Sequence, residues 1–150
     1  MTTSQIDVAD ELRDWARGMY PLEAAVELLV RGMRGRFALP GNPWIKRETG
    51  VPGSLEPRYW ADLADIEDHI GALSSGERSF LLIVASIGAD TPVVLGEAIS
   101  LLDRAALDLV LAGLAHAAGS HQHSEIIYNE DGQPTMFGRL HSLYPWPPQA

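Results

Sequence analysis

The chain contains no cysteine, and that single absence removes several chemistries. Disulfides, thiolate nucleophiles, iron–sulfur clusters and cysteine-ligated zinc are all excluded. Lysine is nearly missing, with Lys46 standing alone among the many arginines. Long apolar runs are missing too. The longest, Phe80–Ala85, falls far short of the roughly 18 residues that a membrane-spanning helix needs. The first ten residues, Met1 to Asp10, are too polar and acidic to read as a signal or transit peptide. Together these features predict a soluble cytoplasmic protein with no membrane partner. No Gly-x-Ser-x-Gly elbow and no Gly-Lys-Ser/Thr loop occurs, so serine-hydrolase and P-loop phosphate chemistry have no starting motif.

What is present is an ordinary globular composition, 46% apolar and 21% charged over 150 residues. That length predicts one domain, residues 1–150, burying roughly 70% of its unfolded surface. A net charge of −9 argues against a nucleic-acid partner, because neutralising phosphate dominates such binding. The charge is uneven. Arg31, Arg34, Arg36, Lys46 and Arg47 fall in a stretch from Leu28 to Arg47 that holds no acid. Such a block can meet an acidic partner or an acidic face of a second copy. A plainer account has Arg31 and Arg34 complementing the dipole at a helix C-terminus.

Periodicity predicts a mainly α fold: a compact bundle of five or six helices. Ile6, Val8, Leu12, Trp15 and Ala16 mark the first helix, and Pro21 is placed as a first-turn proline of the second. Residues 35–55 hold three prolines and four glycines without period, which predicts a long loop pinned by Phe37, Trp44 and Ile45. From Glu56-Pro57, the steps Tyr59, Leu63, Ile66, Ile70 and Leu73 predict another helix. Ser74-Ser75-Gly76-Glu77 has capping-box form, Thr91-Pro92 reads as the start of a short helix through Ser100, and Asp103 as a further N-cap. The helix from Asp103 to Ala118 is apolar nearly all round, which predicts a buried central element. Residues 120–150 lose the helical period. A hairpin is expected across Glu125–Tyr128 and Pro134–Phe137 around Asp131-Gly132, followed by an aromatic tail, Leu143–Pro148.

Residues capable of chemistry gather in one place, the run His121-Gln122-His123-Ser124-Glu125. In an extended strand, His121, His123 and Glu125 share one face and could hold zinc or another divalent metal, with His116 or His141 arriving through the fold. That would make the chain a metal-binding protein or a metal-dependent hydrolase. Solvated histidines around a loop are the commoner outcome. Asp62, Asp65, Glu67, Asp68 and His69 also crowd together, but they lie off the Leu63/Ile66/Ile70 stripe and are expected to face water. With no complete catalytic constellation, the sequence favours a non-catalytic interaction or accessory protein, self-associating as a homodimer or docking a protein partner. Arg31, Arg34, Arg36, Trp44, Arg47, Tyr144 and Trp146 are the expected partner-binding residues, being the types that anchor interfaces.

Overall fold

The computed structural model describes residues 2–48 and 57–149, with side chains described from residue 8 onward. The chain is helix-rich, with two small antiparallel two-stranded sheets. Helices α1 (Thr2–Ala16) and α2 (Tyr20–Arg31) follow the expected spacing. Val8, Leu12 and Ala16 lie one turn apart and are buried, as are Ala24, Ala25, Val26, Leu28 and Leu29 of α2. Glu27 ties the pair together: it accepts from Arg13 of α1 at 2.6 Å and from Arg31, one turn ahead, at 2.7 Å.

Beyond α2 the chain turns tightly through Gly32–Ala38. Met33, Arg34 and Gly35 are all left-handed there, with φ of 50°, 58° and 73°. For the two non-glycine residues that conformation costs about 1–2 kcal/mol each. Buried aromatic residues hold the segment in place. Phe37, Trp44 and Ile45 are buried, and the Trp44 indole N–H donates to the Phe37 carbonyl at 2.8 Å. The expected pinning of this region is therefore present.

The predicted loop and the predicted helix after it change character. Strand β1 (Ile45–Glu48) pairs with β2 (Arg58–Ala61) in the register Ile45 to Ala61 and Glu48 to Arg58. A 3₁₀ segment, Leu63–His69, comes next. The stretch expected to begin a helix thus begins as a strand; its proposed first residue, Glu56, and the loop residue Val51 lie outside the described residues. Arg58-Tyr59-Trp60 carries two aromatic residues that suit a pleated surface. The apolar steps of three and four also serve a 3₁₀ turn, so Leu63, Ile66 and Ile70 still face the core.

Helix α3 (Ser75–Ala89) opens on the expected capping box, Ser74 and Glu77 exchanging both bonds, and closes on left-handed Asp90. Helix α4 (Leu95–Ser100) starts later than Thr91-Pro92 suggests, with Val94 at its N-cap and Thr91 buried in the extended link. Helix α5 (Arg104–Ala117) is capped by Asp103, whose carboxylate accepts from the Ala106 N–H at 2.8 Å. Burial is heaviest in α2 and α3. By contrast α5 has two faces: Ala106, Val110, Ala112 and Gly113 are buried, whereas Leu107, Leu111 and Leu114 are 37%, 39% and 41% exposed.

The hairpin forms where expected. Strands β3 (Ser124–Tyr128) and β4 (Pro134–Arg139) pair antiparallel, Ile126 opposite Phe137 and Ile127 opposite Met136. Every residue of β3, and all of β4 but Gly138, is solvent-exposed to a large degree. Among the described elements, the two strands pack extensively only on each other. The tail then returns to the body, where Trp146 packs against the core. Among the described residues, no helix is long and apolar enough to cross a membrane.

Candidate functional site: a histidine cluster at the root of an apolar arm

Three elements meet where the hairpin leaves the body. The first turn of α2 supplies Tyr20 and Glu23, and the last turn of α5 supplies His116. Gly119 then turns left-handed, at φ 76°, and leads into a short 3₁₀ turn, Ser120–Gln122, that supplies His121. A side chain at Gly119 would sit 3.3 Å from the Tyr20 ring, so glycine serves both the turn and the close approach. Ser120 is buried, and its hydroxyl accepts the Leu143 N–H at 2.8 Å, tying the returning tail to this turn.

Within the cluster, His116 Nε2 lies 2.8 Å from Glu23 Oε1, and the other Glu23 oxygen accepts the Gly18 N–H at 2.8 Å. The Trp146 indole N–H donates to His116 Nδ1 at 3.4 Å. An indole nitrogen only donates, so Nδ1 accepts and the proton of a neutral His116 sits on Nε2, pointing at Glu23. The His121 ring stacks on His116 with centroids 4.0 Å apart, and Tyr20 meets it edge-on at 4.8 Å. His121 Nδ1 is buried and has no hydrogen-bond partner among the described residues.

The electrostatics follow from these contacts. Burial, then the neighbouring His116, pushes the His121 imidazole below its ordinary value, so the ring is neutral with a free lone pair at neutral pH. For Glu23, burial pushes the carboxyl up, but the Gly18 N–H and both histidines outweigh it and hold the group below the usual range. A neutral imidazole beside a committed carboxylate is a ligand pair of the kind zinc uses. One ligand atom from each of Glu23, His116 and His121 can be chosen so that all lie within 4.8 Å of one another. Glu23 and His116 also border a cavity of about 180 Å³, shared with Arg13, Arg17, Val26 and Glu27.

Of the residues the sequence singled out, His116 and His121 come together here. His123, Glu125 and His141 are solvent-exposed. Strand alternation does not carry His121 to the face of His123 and Glu125, because His121 belongs to the 3₁₀ turn and the strand begins at Ser124. Glu23 went unread as a ligand. In sequence it is a first-turn acid beside Pro21, 93 residues from His116, and no local pattern links the two.

The basic block is largely matched inside the chain. Arg31 pairs with Glu27 and lies 5.0 Å over the Trp146 ring; Arg36 pairs with Glu77 at 2.8 Å. Lys46 bridges Asp62 at 2.9 Å and Asp65 at 3.5 Å, and Arg47 lies over Tyr59. Arg34 is exposed. Trp44 is a core residue, 2% exposed, and Tyr144 bonds Asp108 through its hydroxyl. The expected acidic face is partly drawn into these pairs, with Glu67 and Asp68 left exposed.

Exposed apolar side chains gather on the arm, and a second group lies on and beside α4, where Val94, Leu95, Ile99 and Leu101 are 40–65% exposed. Ile126 and Phe137 share one face of the hairpin and Ile127 and Met136 the other; Tyr128 and Phe137 are 59% and 80% exposed. Compared with protein-family models, with curated proteins and with solved structures, the chain shows no match.

Proposed function

We propose that this is a non-catalytic, self-associating protein whose β3–β4 arm docks on the Leu107/Leu111/Leu114 stripe of a second copy. The observation that carries the reading is an arm apolar on both faces, on which little else among the described elements is packed. An isolated two-stranded hairpin is marginal in water, and monomers rarely display large contiguous apolar patches. At roughly 200 Å² for a fully exposed large apolar side chain, the Ile126/Phe137 face of the arm and the three leucines offer on the order of 500 Å² per copy. A standard interface buries about 800 Å² on each partner, so the apolar contact would form its centre and flanking polar surface the rest.

Each copy carries −9, so two copies repel wherever they meet; an interface of Ile126, Ile127, Met136 and Phe137 adds no like-charge contact to that repulsion and does not need charge pairing to form. The arrangement is isologous, arm to stripe and stripe to arm, which closes as a dimer. Residence in the cytoplasm and a single domain over 1–150 belong to the same reading, supported by the absence of cysteine and the ordinary domain length.

Size-exclusion chromatography with light scattering tests it on the wild type, Phe137→Glu and Leu111→Glu. Truncating a hot spot costs about 2 kcal/mol or more. Two-fold symmetry counts the change twice, so dimer affinity falls on the order of 1,000-fold. Both variants should run as folded monomers, since both side chains are exposed, with melting lowered only by the stabilisation that the second copy supplied. A wild type of single-chain mass across the micromolar range, or a dimer indifferent to Phe137→Glu, contradicts the reading.

A further inference from the structure

We infer that Glu23, His116 and His121 form a binding site for one divalent transition-metal ion of the zinc class at the root of the arm. The three ligands come from separate elements, α2, α5 and the Ser120–Gln122 turn, so an ion would bridge all three. Two imidazole nitrogens and one carboxylate oxygen are a donor set for zinc, cobalt(II) or nickel(II) rather than for calcium or magnesium, which take oxygens.

The geometry is close to what an ion requires. Ligand atoms of a tetrahedral site with bonds of about 2.1 Å sit roughly 3.4 Å apart, and here they lie within 4.8 Å of one another. Binding would have to bring the ligand atoms together by up to about 1.4 Å, and rotation of His121 out of its stack on His116 is the movement it calls for. The buried, unpartnered His121 Nδ1 shows that the present ring position leaves a polar atom unsatisfied. Three protein ligands leave a fourth position, and the cavity of about 180 Å³ bordering Glu23 and His116 gives it room for water. Tyr20 and Trp146 form apolar walls on the other sides.

A consequence concerns the tail. An ion on His116 Nε2 moves the ring proton to Nδ1, which then cannot accept from the Trp146 N–H. Metal binding therefore releases that bond and changes the surroundings of Trp146. The site does not depend on the self-association reading, because none of its ligands lies on the arm's strands or on the leucine stripe.

The test titrates untagged full-length protein with zinc chloride by calorimetry and with cobalt(II) chloride by absorption. One equivalent should bind, and cobalt(II) should broaden the ring-proton NMR signals of His116 and His121 well before those of His123 and His141. Glu23→Gln and His121→Asn should each weaken binding at least about tenfold, the low end of what even an outer-shell change costs. His123→Ala and His141→Ala should leave it unchanged. Tryptophan fluorescence should respond to zinc in the wild type and not in Trp146→Phe. No uptake by the wild type, broadening led by His123 or His141, or affinity unmoved by Glu23→Gln and His121→Asn would overturn the assignment. The NMR measurement needs only the wild type, so a variant that fails to fold cannot rescue or sink it.

Discussion

Replacing Glu27 by glutamine keeps the side-chain shape and removes the charge that joins α1 to α2. Arg13 and Arg31 then lose their shared carboxylate, held at 2.6 and 2.7 Å. Breaking a fully buried pair costs about 3–5 kcal/mol, whereas an exposed one is worth about 0–1 kcal/mol. The Glu27 side chain is 16% exposed, with Arg13 at 37% and Arg31 at 21%, so the network lies between these limits. The glutamine carbonyl still accepts one bond, and the expected loss is about 2 kcal/mol. At roughly 2–4 °C per kcal/mol for a chain of this size, melting should fall by about 4–8 °C. Urea unfolding should show a lower midpoint with an unchanged slope.

The pH dependence supplies a second reading of the same contact. Burial pushes the Glu27 carboxyl up, but Arg13 and Arg31 outweigh it, so its folded value lies below the ordinary 4.5. A depressed carboxyl contributes stability that is present above its unfolded pKa and lost as pH falls through the folded one. The gap between wild type and Glu27→Gln should therefore hold at neutral pH and close in acid, below the unfolded value. A gap under about 0.5 kcal/mol at neutral pH, within the scatter of ordinary surface substitutions, would show that solvent screens these pairs and that they do not hold α1 to α2. A gap that widens in acid would refute the linkage.

Two glycines packed between helices should respond differently to alanine. At Gly88 an added Cβ would lie 2.8 Å from the Ala25 Cβ, which cannot move without its backbone, and 2.3 Å from Leu63 Cδ1. Overpacking of about 1–3 kcal/mol then exceeds the helix-propensity gain of about 1 kcal/mol, and chemical denaturation should show Gly88→Ala to be destabilised. At Gly113 the neighbours are Cγ and both Cδ atoms of buried Leu28, at 2.9–3.3 Å; that side chain can rotate where the Ala25 Cβ cannot, so Gly113→Ala should be less destabilised than Gly88→Ala in the same assay. Ser74→Ala removes the reciprocal cap of α3 and should cost about 1 kcal/mol in a thermal melt.

Local signals in the sequence placed the elements whose stabilisation is itself local. Ser74/Glu77 and Asp103 cap the helices they were expected to cap, and Asp131-Gly132 lies between the two hairpin strands. Where pairing depends on distant partners, local pattern fails. Arg58–Ala61 is a strand because β1 lies beside it, a fact no period in 56–73 contains. The nearly continuous apolar character of α5 suggested burial all round, but α2 and α3 cover only one side of it. The histidine cluster shows the same limit. The histidine-rich stretch was the right neighbourhood, while Glu23 reaches it only through the packing of α2 against α5. The basic block looked free because its partners Glu77, Asp62 and Asp65 lie well apart from it in sequence.

The central claim is that two copies join through apolar surface on the arm. Sedimentation equilibrium of the wild type at low and at high salt addresses it most directly. An apolar interface between acidic copies should give twice the 16.3 kDa chain mass in both conditions, and no weaker at high salt, where repulsion between copies is screened. A mass of one chain throughout, or a dimer that dissociates as salt is raised, would contradict the account. The second result would return the interface to the arginines between Arg31 and Arg47.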